Sequence, residues 1–491
     1  MRNVRAKKPY FGLTGMALNA WVNVACITAM TLFGYDQGVF GGIIVTDDFL
    51  KQMGYPDSSL QGTIVSLYDI GCFVGAIGAF AVGERFGRKK MLMFGVIVMS
   101  VGAIIQTASY NVPTIIVSRL ITGVGNGINT ATAPVWQSET TKPSLRGKAV
   151  VLGMIMNIAG YAISNWMTFG LSYVEGSISW RFPLAFQLVF SVIMLCTVPW
   201  LPESPRWLLA HGREAEGVLI LVALEGEGKA EILEAVRIER ETSPSLSDLL
   251  HGRTGETGMV KRILPLVLQN SVGLSNRLSR LLAACNAISY LVFSFAGLHL
   301  IERAGRRKLL MWGAAGQAIC YIFISALLSQ GGTNYGAAAT GFFFVYYIFF
   351  GICWQGVPWL YPVEINSLSM RTMGAALGTG SNWISNYCVV QATPPGIQNL
   401  GWRFYLIWMT FNIVIIPVVY LFYPETSNRH LEDIDRLYRE HKGMVFAFRH
   451  KEAIQMERPE HYLLADEERV SHVKKDLDGS IEQVENVEHE A

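Results

Sequence analysis

Apolar residues in this chain come in long uninterrupted blocks, not in the alternation of a half-buried strand or the single stripe of a surface helix. Eleven blocks stand out: 18–42, 61–82, 91–107, 112–134, 149–171, 182–201, 278–300, 309–329, 337–361, 372–393 and 402–423. A helix needs roughly 20 mostly apolar residues to cross about 30 Å of hydrocarbon, so each block predicts a membrane-spanning helix. Two longer polar stretches break the series. Residues 202–262 are charged and predict a linker of short amphipathic helices, and 424–491 form a charged tail, expected to be disordered after about 465. The pattern predicts an all-α membrane protein.

Composition agrees. Only 16% of the 491 residues are charged and the mean hydropathy is +0.31, whereas a soluble chain carries about a quarter charged residues. Charge placement says more than the net charge of +2. Arg5, Lys7, Lys8, Arg85, Arg88, Lys89, Lys90, Lys142, Arg146 and Lys148 fall before 18 or at 83–90 and 135–148. The alternate segments 43–60, 108–111 and 172–180 hold Lys51 alone. Cytoplasmic loops carry the excess of Lys and Arg, so residues 1–17 are expected inside, with the tail on the same side. The seven cysteines all lie in apolar blocks without metal-ligand spacing and read as small buried hydrophobes. No phosphate loop, metal cluster or nucleophile–base spacing suggests an enzyme, a cofactor or a nucleic-acid partner.

The chain repeats itself. Gly83-Glu84-Arg85-Phe86-Gly87-Arg88-Lys89 returns as Ile301-Glu302-Arg303-Ala304-Gly305-Arg306-Arg307, Glu139 and Arg146 return as Glu364 and Arg371, and Pro202-Glu203-Ser204 returns as Pro424-Glu425-Thr426, at offsets of 218, 225 and 222. Ordered matches at near-constant offset indicate duplicated halves, here 18–201 and 263–423. The repeat also exposes a gap. The partner of block 18–42 should fall near 236–260, which is hydrophilic, and the nearest apolar piece, 263–275, is too short to cross. Either the second half inserts inverted, or 263–275 makes a strained partial crossing, or a segment is missing. The intact flanking repeat favours the last.

These motifs resemble the sugar porter family of the major facilitator superfamily, especially its fungal hexose, polyol and glycerol/proton symporter branch. The resemblance rests on Gly34-Tyr35-Asp36, Gly83–Lys89, Arg119 with Gly123, Gly125 and Gly127, Glu139 with Arg146, Pro202-Glu203-Ser204-Pro205-Arg206, Glu302–Arg307, Val357-Pro358-Trp359, Glu364 with Arg371, Asn382-Trp383 and Pro424-Glu425-Thr426. It covers roughly 18–440. It implies a major facilitator fold of two six-helix halves, here with eleven full spans and the first helix of the second half missing or truncated. Three departures stand out. Met154 occupies the place of a fifth-span glutamine, with Asn157 the nearest amide; Gln355-Gly356 replaces a Gly-Pro; and Trp136 stands where tyrosine is common.

Ionisable groups within spans are costly and call for a partner or a function. Asp36, Asp69 and Arg119 fall at similar depth, about 10 Å below the outer surface by helical rise, so they can meet. Asp36 paired with Arg119 is expected to switch with protonation; a permanent structural pair is the plainer alternative. Amides and flat aromatic faces bind hydroxyl-rich molecules, which makes Trp359, Asn382, Trp383 and Asn157 the candidate solute contacts. The resemblance implies that Glu84, Arg85, Arg88, Glu139, Arg146, Glu203 and Arg206, with Glu302, Arg303, Arg306, Glu364, Arg371 and Glu425, form charge networks that lock the cytoplasmic side. The reading that follows is a monomeric, proton-coupled sugar or polyol symporter of the plasma membrane. The alternatives are a transport-inactive shortened variant and a solute sensor.

Overall fold

The computed structural model describes residues 13–141, 143–225, 276–331, 333–366 and 371–427, with 429, 433–434, 437 and 454–456 beyond. All regular structure among them is helical. The first half comprises α1 (Gly15–Ile43), a short α2 (Asp47–Gln52), α3 (Ser58–Phe86), α4 (Arg88–Thr107), α5 (Val112–Thr140), α6 (Pro143–Leu171) and α7 (Ile178–Thr197). Short α8 (Pro205–Ala210) and α9 (Glu214–Glu225) follow. The second half comprises α10 (Asn276–Ala304), α11 (Arg306–Gln330), α12 (Thr333–Phe349), α13 (Val357–Ile365), α14 (Arg371–Leu400) and α15 (Phe404–Phe422). A π-helical turn, Phe350–Trp354, joins α12 to α13, so these two form one interrupted run.

Each apolar block of the sequence is matched by one long helical run. By length and composition, nine helices among the described residues could cross a membrane. The two long helices outside that set are α5 and α14, and burial explains why α5 needs less apolarity. Nearly every residue of α5 from Thr122 onward is buried, including Asn126, Asn129 and Thr130. A helix enclosed by protein need not match lipid, and its polar groups find partners within the bundle.

In the first half α1 packs along α6, and α5 packs against both α3 and α4. In the second, α11 packs on α12 and α15. The halves meet along two seams, α3 against α14 and α6 against α10. Small residues bring backbones together: a Cβ on Gly75 would fall on the Val124 carbonyl, one on Gly127 on the Cys72 carbonyl, and one on Gly34 on the Asn157 carbonyl. Gly78, three residues beyond Gly75 on α3, meets nothing within 4 Å. Gly127→Val should therefore force α3 from α5 and cost about 1–3 kcal/mol, as overpacking does; Gly78→Ala should leave the melting temperature of detergent-solubilised protein unchanged.

The start of the linker is not free-standing. Trp207, Leu208, Ile220 and Leu224 of α8 and α9 pack on Leu18 at the start of α1. The rest of the linker and the apolar remnant 263–275, where a seventh span was expected, lie outside the described residues. One cysteine expectation needs correction. Cys196, Cys285 and Cys388 are exposed, while Cys26, Cys72, Cys320 and Cys353 are buried.

Candidate functional site: a central cavity between two repeated charge clusters

At the basic end of the bundle the sequence repeat becomes a structural one. Arg88 makes a two-pronged ion pair with Glu139, Nε–Oε2 and Nη2–Oε1 both 3.0 Å. Its repeat mate Arg306 does the same with Glu364, at 3.1 and 2.8 Å. Paired parallel N–H···O bonds of this kind hold both distance and plane. Each half adds a second carboxylate that caps a helix. Glu203 accepts from the Arg88 and Lys89 amides at 3.0 Å each, and Glu425 accepts from the Arg306 and Arg307 amides at 2.9 and 3.1 Å. These amides begin α4 and α11, where helix dipoles favour negative charge. Gly87 and Gly305 make the approach possible. Both have positive φ, +87° and +80°, and a Cβ on either would collide with the capping carboxylate. Burial pushes Glu203 above the usual carboxylate range, while the amides and Arg88 pull it back.

Not every charged residue of the motifs joins these clusters. Arg85 and Arg303 stay exposed, and Arg206 contributes positive charge near Glu139. The side chains of Glu84, Arg146, Glu302 and Arg371 lie outside the described residues.

Deeper in the first half, Arg119 Nη1 stands 3.7 Å from Asp36 Oδ1, with both side chains at most 2% exposed. The guanidinium lies 4.1 Å from the Phe40 ring centre and 4.3 Å from that of Tyr68, and Nη2 donates to the Val65 carbonyl at 3.1 Å. Neither Asp36 oxygen accepts a hydrogen bond in good geometry, and Nε and Nη1 of Arg119 donate none. The pair is held by charge and by aromatic faces, not by a direct hydrogen bond.

Between the halves lies a cavity of about 520 Å³. Amides from both halves line it, Gln37, Gln61 and Asn157 on one side and Gln355, Asn382 and Asn386 on the other, with Phe33, Tyr161, Tyr290, Tyr346, Tyr347, Trp354 and Trp359 supplying aromatic faces. Among the described residues, none that lines it is charged. The π-turn matters here. It ends at Gln355, whose amide reaches across to the Met154 carbonyl at 3.2 Å and whose oxygen accepts from the Tyr290 hydroxyl.

The family described as "Sugar (and other) transporter" matches residues 21–438. The chain belongs to this family of carriers. Among similar proteins, the MFS-type transporter oryC of Aspergillus oryzae is 46% identical, covering 99% of this chain and 97% of that one. Sugar transporter STL1 of Saccharomyces cerevisiae is 34% identical over 88% of this chain and 83% of that one. Among solved structures, the proton:xylose symporter XylE bound to 6-bromo-6-deoxy-D-glucose aligns with a TM-score of 0.75 at 21% identity, covering 86% of this chain and 99% of that one. The fold is that of the major facilitator superfamily and the chain is a multi-pass membrane protein.

Within this sugar transporter family member, three of the four candidate solute contacts, Asn157, Trp359 and Asn382, line the cavity. Trp383 does not. It is fully buried behind the wall, edge-on to Phe33 at 5.3 Å and to Tyr68 at 5.9 Å. Consecutive residues of a helix point about 100° apart; here Asn382 faces the cavity, and Trp383 turns toward Phe33 and Tyr68 of the first half. Sequence reasoning missed the tyrosines Tyr161, Tyr290, Tyr346 and Tyr347. Tyr346-Tyr347 could have been suspected from standing just before the Gln355-Gly356 departure.

Proposed function

We propose that this protein carries a neutral, hydroxyl-rich solute, a sugar or polyol, together with protons, by alternating exposure of the central cavity. The observation that carries the reading is the cavity's lining: six amides and a set of aromatic faces, with no charge among the described residues, at the seam of two repeated halves. Amides both donate and accept, as hydroxyl groups require. An uncharged wall offers no counter-ion to an anionic or cationic solute, which would lose its hydration without compensation.

The coupling group in this reading is Asp36 with Arg119. Ionised, Asp36 holds the guanidinium; protonated, it releases it and lets the halves rearrange, a shift between two states driven by their different proton affinities. The pairs Arg88–Glu139 and Arg306–Glu364 act as locks on the cytoplasmic side, broken when that side opens. The distribution of Lys and Arg along the first half supports cytoplasmic termini; the relative named sugar transporter STL1 supports a sugar carrier, and the solved proton:xylose symporter supports coupling to protons. The carrier in this reading sits in the plasma membrane and works as a monomer.

Uptake of labelled glucose, xylose and glycerol into proteoliposomes, with and without an inward proton gradient, tests this. Accumulation of at least one of these solutes only with the gradient is the expected result; gradient-independent equilibration of all three would overturn proton coupling. Asn382→Ala should raise KM roughly three- to tenfold with little change in kcat, the effect of one lost hydrogen bond made equally in ground and transition states.

A further inference from the structure

Asp69 has no part in the scheme so far, yet it is one of the most buried ionisable groups in the chain, only 4% exposed. It lies on α3, one residue beyond Tyr68, whose ring supports Arg119. The charged groups that face it are Asp36 of α1 and Arg119 of α5, with Tyr68 and Cys72 on its own helix. From α14, across the seam between the halves, comes the uncharged amide of Asn386, which donates to Asp69 Oδ1 at 3.0 Å. Helical spacing puts Asp69 on the same face of α3 as Val65, whose carbonyl accepts from Arg119 at 3.1 Å, so two buried carboxylates lie around one guanidinium.

Three features join this cluster to the solute. Asn386 itself lines the cavity. Val65, whose carbonyl accepts from Arg119, lines it too. Further along the same seam, Gln391 of α14 accepts from Ser66 at 2.7 Å and donates to Thr63 at 3.3 Å. The polar contacts between α3 and α14 thus form one row from Asp69 to Thr63, and among the described residues Asp69 is its only ionisable member.

We propose that Asp69 is the relay between the proton switch and the solute site. This rests on the reading of Asp36 and Arg119 as the proton-coupling pair. Arg119 leaves two of its nitrogens without hydrogen bonds and stands 3.7 Å from Asp36, so it is free to change partners. When a proton from the outer water adds to Asp36, the guanidinium loses its counter-charge there and turns toward Asp69. No bond in the solute forms or breaks, and the proton returns to water on the cytoplasmic side. Asp69 drawn toward Arg119 offers less of its charge to Asn386. The Asn386 amide then turns to the solute, and the α3–α14 seam tightens around a loaded cavity. Asp69 is a positioning residue in this scheme: it touches neither solute nor transferred proton.

The test uses the full chain in proteoliposomes and detergent, with glucose, xylose or glycerol, whichever the parent accumulates, as the probe. Three quantities are read: solute-driven proton uptake, the pH dependence of apparent solute affinity, and the pH dependence of intrinsic tryptophan fluorescence without solute. The last reports the Asp36 switch through Trp383, which touches Tyr68. Asp69→Asn should flatten the affinity profile, removing about a tenfold change, while the fluorescence transition remains. Asp36→Asn should abolish both, and Asp69→Glu should restore a pH-dependent affinity, which separates the relay from a fold defect. Asn386→Ser should reproduce the flattened profile. A parental affinity profile in Asp69→Asn overturns the relay and leaves the Asp36 reading standing. A parent that takes up no protons with solute overturns that reading and the relay with it.

Discussion

Asp36→Asn is expected to bring solute-driven proton uptake to background and to lower the stability of the purified protein. The argument is electrostatic. Arg119 is 2% exposed and cannot lose its proton, so removing its counter-charge leaves a buried cation in low dielectric. Breaking a buried pair in this way costs about 3–5 kcal/mol. Asp69 takes up part of that charge, which places the expected loss near the low end, about 3 kcal/mol. Thermal unfolding in detergent measures it. Adding Arg119→Gln to Asp36→Asn should recover most of the stability, since both charges are then gone, without recovering proton uptake. If single and double variants both moved protons with solute at the parental ratio, Asp36 would be a structural ion-pair member and no more.

Charge reversal at Glu139 carries the second large effect. Two guanidinium groups would then occupy the space where Arg88 and Glu139 now lie 3.0 Å apart with side chains 7% and 8% exposed. The lost pairing and the new repulsion both act on the proposed cytoplasmic lock, so Glu139→Arg should favour the state open on that side. Thr132→Cys is a suitable reporter: Thr132 is buried beside Arg88, in a small void between α3, α4 and α5. In a background without native cysteines, an impermeant thiol reagent applied from the cytoplasmic side should modify it about tenfold faster after the reversal, a shift of roughly 1.4 kcal/mol in the equilibrium. Swapping both charges, Arg88→Glu with Glu139→Arg, should restore slow modification. Equal rates in parent and single variant would mean that the pair does not report on opening. Glu364→Arg tests the same idea in the second half, where Thr426 donates to Glu364 at 2.7 Å and would lose its acceptor as well.

Much of this site could be read before any coordinates. Asp36 and Arg119 were legible because ionisable residues in apolar blocks are rare enough to be suspected one by one. The charge clusters were legible because they occur twice. Their internal pairing was not. Fourteen charged residues sit in the repeated motifs, and nothing in their spacing says that Arg88 takes Glu139 while Glu203 turns to backbone amides. That division depends on Gly87 and Gly305 adopting a left-handed turn that bares the first amides of α4 and α11. Trp383 shows the converse failure. A motif places it beside Asn382, but packing against Phe33 and Tyr68 takes its side chain out of the cavity that Asn382 lines.

The sequence alone determined the class of the molecule and its twofold plan. Hydrocarbon accepts only helices whose backbone groups are internally paired, so apolar blocks of fixed length admit one structural reading, and duplicated motifs declare duplicated halves. Tertiary structure alone decided which side chains meet between those halves. The Asp69–Asn386 contact and the other polar bonds of the α3–α14 seam join residues more than 300 positions apart, and the cavity's tyrosines come together from both halves. No local propensity or period links such residues. Only the packing of one half on the other brings their short-range hydrogen bonds within reach.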